Sequence, residues 1–109
     1  EKFYTAIIQK LTAANIKVVV CTPAVIGEKT DFSNELDVDV NKYSSLIRTI
    51  ATKNSLPLVD LRKAFLAYNL EHNLENKESG ILTHDKVHLN EKGNELVAAE
   101  IWEEIKNIK

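Results

Sequence analysis

Apolar residues recur along the start of the chain at helical spacing, with Phe3, Ile7, Leu11 and Ala14 on one face and Asn15 suited to ending the helix. The pattern then changes. Ile16-Lys17-Val18-Val19-Val20-Cys21-Thr22 is a β-branched run without alternation, as expected of a strand covered on both faces, and Pro23 ends it. Ala24 to Leu36 is polar and irregular and reads as a long loop. A second helix is predicted over 38–53, with Val40, Tyr43, Ile47 and Ile50 on its buried face and Asn54 closing it in a left-handed conformation.

Leu56-Pro57-Leu58-Val59-Asp60 predicts a second short strand, with Pro57 at a first-strand position. A third helix follows from Leu61 to about Leu70, with Leu61, Phe65 and Leu66 facing inward. Glu71 to Leu89 is mostly loop. Asn90 is a good N-cap for a final helix whose inner stripe is Val97, Ile101, Ile105 and Ile108, flanked by Trp102.

Helix, strand, helix, strand, helix, loop, helix is the order of an α/β protein with a parallel sheet between helices. Two parallel strands make a poor sheet, because both edges present unpaired backbone groups. The first helix also opens at Glu1 without a cap or a turn. The expectation is therefore a truncated C-terminal portion of a larger α/β domain, with about two parallel strands and four helices. By itself it is expected to be inactive and to associate through its open sheet edge.

Composition narrows the function classes. The chain has 109 residues, 44% hydrophobic and 28% charged, which is ordinary for a globular domain and argues against disorder. Net charge is −2 and the basic residues are scattered, so nucleic acid is not an expected partner. No apolar run is long enough to span a bilayer. The single cysteine, Cys21, has no internal disulfide partner and is expected to pack as a small hydrophobe.

The informative chemistry lies in Asp85-Lys86-Val87-His88-Leu89-Asn90. A carboxylate three residues before a histidine on a tight loop can reach one imidazole nitrogen, selecting the tautomer and stabilising the imidazolium. The other nitrogen is then free to take a proton from a nucleophile, and an ordinary histidine, titrating at about 6.5, suits that exchange. Leu89 can pin the loop to the core and Asn90 can hold the helix start. An isolated Asp-x-x-His pair also fits a solvated or capping role, or two ligands of a metal. His72, His84 and Asp60 are the other candidate ligands, and they show no ligand spacing. Asp60 is expected to cap the following helix while lying at the edge where parallel sheets bind ligands. Val25 and Ile26 leave the other strand at that edge and are candidates for an apolar wall. His84 is a candidate substrate contact, and His72 is expected to be solvated.

The run from Asp85 to Leu96 resembles the last conserved block of the SGNH (GDSL-type) hydrolases, where Asp-x-x-His-Leu-Asn leads into a Gly-containing helix; here that glycine is Gly93. Lys17 to Pro23 and Leu58 to Leu61 are similar to that family's fourth and fifth strands. The resemblance implies a three-layer α/β/α, flavodoxin-like fold, with residues 1–109 as the C-terminal part of a single domain. It implies ester hydrolysis through an acyl-enzyme, with His88 as base and Asp85 as its orienter, no cofactor or metal, and a small ester as substrate: a lipid, an acetylated sugar or a short-chain ester. The family's Gly-Asp-Ser nucleophile motif and its Gly-x-Asn-Asp segment are absent from these residues. A non-catalytic flavodoxin-like binding module and a metal-dependent hydrolase stay open as alternatives at this point.

Overall fold

The computed structural model describes residues 1–108. Helix α1 spans Lys2–Ala13, strand β1 Val20–Cys21, helix α2 Val38–Lys53, strand β2 Leu58–Val59, helix α3 Leu61–His72 and helix α4 Glu91–Ile105; one 3-10 turn, Glu35–Asp37, leads into α2. The expected four helices and two strands are all present. The strands are shorter than the apolar runs that predict them.

β1 and β2 pair in parallel, Val20 opposite Leu58 and Cys21 opposite Val59. The Val20 N–H donates to Pro57 O at 2.9 Å and the Thr22 N–H to Val59 O at 3.0 Å. Val20 and Leu58 share one face, where they pack with Ile8 of α1 and Ile50 and Ala51 of α2. By the alternation of the pleat, Val59 faces the other side, and α4 lies against β2 there. A second cluster, Val25, Phe65 and Leu82, gathers Leu89, Leu96 and Val97 where α3 meets α4. Helices thus cover both sheet faces. No helix among the described residues is long and apolar enough to cross a membrane.

Both early helices end in the same way. Asn15 has φ +62°, the Asn15 N–H reaches Thr12 O, and the Ile16 N–H reaches Leu11 O at 3.0 Å. This is the double closure that satisfies the last carbonyls of a helix. α2 repeats it one residue later than its sequence suggests. Ser55, not Asn54, takes the left-handed conformation at φ +54°, and the Leu56 N–H donates to Ala51 O at 2.9 Å. Asn54 instead turns its amide back onto Ile50 O at 2.8 Å.

The inner faces depart from expectation in places. Ile8 is the buried residue of α1, whereas Phe3 and Ile7 are exposed. In α2 Tyr43 is exposed and Ser44 is buried in its place, its hydroxyl donating to Val40 O at 2.7 Å. In α3 Leu66 is exposed and Arg62 and Asn69 are buried beside Phe65. Only the first half of α4 meets the core, so Trp102 and Ile105 are exposed. Cys21 is exposed rather than packed: it points away from the first cluster, and among the described residues β1 pairs on one edge only, with β2. Partial burial still pushes its thiol above the ordinary value, which disfavours a reactive thiolate.

Candidate active site

The long loop before α2 carries much of the buried polar chemistry. Arg62, on the first turn of α3, forms a two-pronged pair with Asp37: Nη1 to Oδ1 at 3.0 Å and Nη2 to Oδ2 at 2.6 Å. Arg62 also donates to Ala24 O, and Asp37 accepts from the Ile26 N–H at 2.9 Å. These bonds tie both ends of the loop to α3. Asp60 caps α3 by accepting from the Lys63 N–H at 3.1 Å, as its position at a strand end suggests. It is also gripped by Arg48, at 2.8 Å and 3.1 Å, and by the Thr22 hydroxyl at 3.0 Å. The Arg48 contact, more than any other, lowers the Asp60 carboxyl below its usual range. Asp60 thus joins α2, the residue that follows β1, and the start of α3.

Glu28, in the same loop, is 1% exposed. Its Oε1 accepts from the Leu82 N–H at 2.7 Å. Its Oε2 accepts from the Ile81 and Thr83 N–H groups, at 3.1 Å and 3.2 Å, and from the Thr83 hydroxyl at 2.8 Å. A carboxylate taking three backbone N–H groups and a hydroxyl is fully satisfied as an acceptor, which is what burial of such a group requires. Nothing in the sequence singles Glu28 out: it is a lone acidic residue in an irregular stretch, and its partners lie more than fifty positions away.

Those partners open the segment that holds Asp85 and His88. Residues 82–90 form a tight antiparallel turn. The His84 N–H donates to His88 O at 2.8 Å, the Asn90 N–H donates to Leu82 O at 3.0 Å, and Thr83 bridges Leu89. Asp85 folds inward across the turn, its Oδ1 accepting from the Val87 N–H at 3.1 Å and the His88 N–H at 2.7 Å. Its Oδ2 lies 2.7 Å from His88 Nδ1. The backbone N–H of His88, then the imidazole, then the Val87 N–H, lower the Asp85 carboxyl to about 2. Ionised, Asp85 can only accept, so Nδ1 carries the proton, and in the neutral imidazole Nε2 keeps a free lone pair. His88 and Asp85 are exposed, with side-chain exposures of 80% and 54%. Leu89 packs into the second cluster, and Asn90 caps α4 by accepting from the Gly93 N–H at 2.9 Å.

The other candidates separate. His84 is exposed beside the pair and contributes its backbone to the turn. Val25 belongs to the core with Phe65 and Leu82, while Ile26 is half-buried. His72 is exposed and stacks on Tyr68 with ring centroids 4.2 Å apart. No group of three or more His, Cys, Asp or Glu among the described residues is placed to hold a metal ion. A cavity of about 360 Å3, lined by Phe32, Val38, Leu66 and Leu70 with Glu28 and Asn69, includes neither Asp85 nor His88.

Parallel strands with helices on both faces, and an imidazole held by a carboxylate on the turn leading into the last helix, define an α/β protein whose polar turn is fixed by its core. Residues 1–96 match the model of the GDSL-like lipase/acylhydrolase family, and the chain belongs to that family. It is similar to the crystal structure of an acetyl xylan esterase, AlAXEase, at 61% identity and a TM-score of 0.91, over 94% of this chain and 52% of that one. The chain thus spans about half the length of that relative. No curated protein matches it. The expected SGNH (GDSL-type) resemblance and the α/β fold class are both borne out.

Proposed function

We propose that the protein of which these residues form part is an ester hydrolase acting on O-acetyl groups of a carbohydrate, with His88 as general base and Asp85 as the group that orients it. The observation that carries this reading is the 2.7 Å contact between Asp85 Oδ2 and His88 Nδ1, which leaves Nε2 free on an exposed turn. Family membership supports ester hydrolysis, and the similarity to an acetyl xylan esterase supports the acetylated sugar over a lipid.

In this mechanism a serine outside these 109 residues attacks the acetyl carbonyl, and His88 Nε2 takes the serine proton. The proton passes to the departing sugar oxygen as the acyl-enzyme forms. A water then attacks the acyl-enzyme, losing a proton to Nε2, and acetate leaves as the serine is restored. Asp85 keeps the imidazole in one tautomer and stabilises the imidazolium in each half-reaction. Residues 1–109 serve as the C-terminal part of a single domain, the remainder of which carries the serine and the oxyanion donors.

The test is His88→Ala in the full-length protein, assayed on an acetylated xylo-oligosaccharide and on a short-chain aryl acetate. The rate should fall by about a thousandfold or more, the scale of losing a triad base. Activity that survives the substitution removes the assignment.

A further inference from the structure

We propose that Glu28 is a positioning residue for the Asp85–His88 pair: its buried carboxylate fixes Thr83, and Thr83 fixes the turn that presents the imidazole. This deepens the function proposed above and rests on it.

Asp85 and His88 are exposed, so no wall of packed side chains among the described residues holds them. Their geometry must come from the backbone of the turn, and that backbone is governed from the 27–28 segment. The Thr83 hydroxyl has one proton and gives it to Glu28 at 2.8 Å. Its lone pair then faces Lys86, whose N–H donates to it at 3.1 Å. The Lys86 carbonyl accepts in turn from the Gly27 N–H at 2.9 Å. Residue 86, between Asp85 and His88, is therefore held at both its N–H and its C=O, once through Glu28 and Thr83 and once by the neighbouring glycine. Without Glu28 the Thr83 hydroxyl is free to rotate, and its lone pair no longer has a fixed direction toward Lys86.

Glu28 is itself anchored. Its N–H donates to Glu78 O at 3.0 Å, and its carbonyl accepts from Asn73 Nδ2 at 2.7 Å. The clamp thus joins the loop before α2, the end of α3 and the turn before α4. Displacements well below 1 Å matter for a base that must meet a serine on another segment.

The experiment uses the full-length protein with Glu28→Gln, Thr83→Val and Thr83→Ser, and His88→Ala as reference. Glu28→Gln keeps the shape but turns an NH2 toward N–H donors. It should lower kcat by about ten- to hundredfold with KM within about threefold, the signature of a group misplaced in the transition state rather than lost binding. The Asp85 carboxyl, followed by carbon-13 NMR, should move up from about 2 toward its ordinary value as the Val87 and His88 N–H groups lose alignment. Thr83→Val should behave in the same way, and Thr83→Ser, which keeps the hydroxyl, should restore kcat. A Glu28→Gln protein with a lower Tm but unchanged kcat and Asp85 titration would overturn the proposal, leaving Glu28 a structural residue only. Should Glu28→Gln fail to fold, the Thr83 pair decides: a Val variant with full kcat overturns it. Activity surviving in His88→Ala is a separate result that overturns the parent reading as well.

Discussion

Gly93, on the first turn of α4, passes so close to Leu82 that a side chain there would run into the Leu82 carbonyl oxygen. That oxygen already accepts from the Asn90 N–H, and the Leu82 N–H is held by Glu28. Neither side can retreat without pulling on the turn that carries Asp85 and His88. Helix propensity alone favours alanine over glycine by about 0.5–1 kcal/mol. Close packing reverses the sign: forcing a methyl into an occupied space costs about 1–3 kcal/mol. Gly93→Ala in the full-length protein should therefore lower the Tm. An unchanged or raised Tm would show that α4 can slide away from Leu82 at no cost.

Arg62 and Asp37 form the one two-pronged ion pair that is almost fully withdrawn from solvent among the described residues, with side-chain exposures of 5% and 12%. Removing one member of a buried pair strands the other charge, at a cost of about 3–5 kcal/mol. Arg62→Ala and Asp37→Ala should each destabilise the protein on that scale. The double variant Arg62→Met, Asp37→Leu should cost far less than the sum, since no charge is left without a partner. Denaturant unfolding of the three proteins checks this; additive losses would mean that the pair is not coupled.

The sequence made the local elements legible and left the long-range polar contacts obscure, for physical reasons that particular residues illustrate. The helical periods of α1 to α4 and the β-branched run before Cys21 report the elements directly. The Asp85–His88 spacing reports a contact three residues apart, and Asn90 and Asp60 sit where caps belong. Glu28 is different, because its role depends on Ile81 to Thr83, and no periodicity joins position 28 to position 83. Arg62 escapes notice for a related reason: a charged residue on a helix face carries no sign of burial until the loop bearing Asp37 folds over it. Tyr43 and Phe3 fail in the opposite sense, since a 3.6-residue period identifies an apolar stripe but not whether another element lies on it.

Lys86 has φ +83°, the left-handed region, where a side chain costs about 1–2 kcal/mol. The bonds from Gly27 and to Thr83 hold it there. Lys86→Gly relieves that strain, at an entropic cost of about 0.5–1 kcal/mol in the unfolded chain, so its net effect should be neutral or mildly stabilising. It also gives up the exposed contact to Glu78, worth about 0–1 kcal/mol. Lys86→Val places a β-branched residue where it fits worst and should destabilise by at least about 1 kcal/mol. Parallel chemical denaturation of the two variants tests the ordering, and a valine variant as stable as the glycine variant would contradict it.

The Asp85 carboxyl, held at about 2, gives the turn a defined acid response. Its folded value lies below that of an unfolded aspartate, about 3.9. The stabilisation it lends is therefore present above the unfolded value and is lost as the pH falls through the folded one. The turn should loosen between about pH 4 and pH 2, an interval set by those two values. The cause can be separated by mutation. The largest contribution is the backbone N–H of His88 and the third is that of Val87, with the imidazole between them. His88→Ala removes only the imidazole, so Asp85 should still titrate well below an ordinary aspartate while activity is lost. A carbon-13 NMR titration of Asp85 in that variant decides the point. A midpoint back near the unfolded value would mean that the imidazole, not the backbone of the turn, holds the carboxylate.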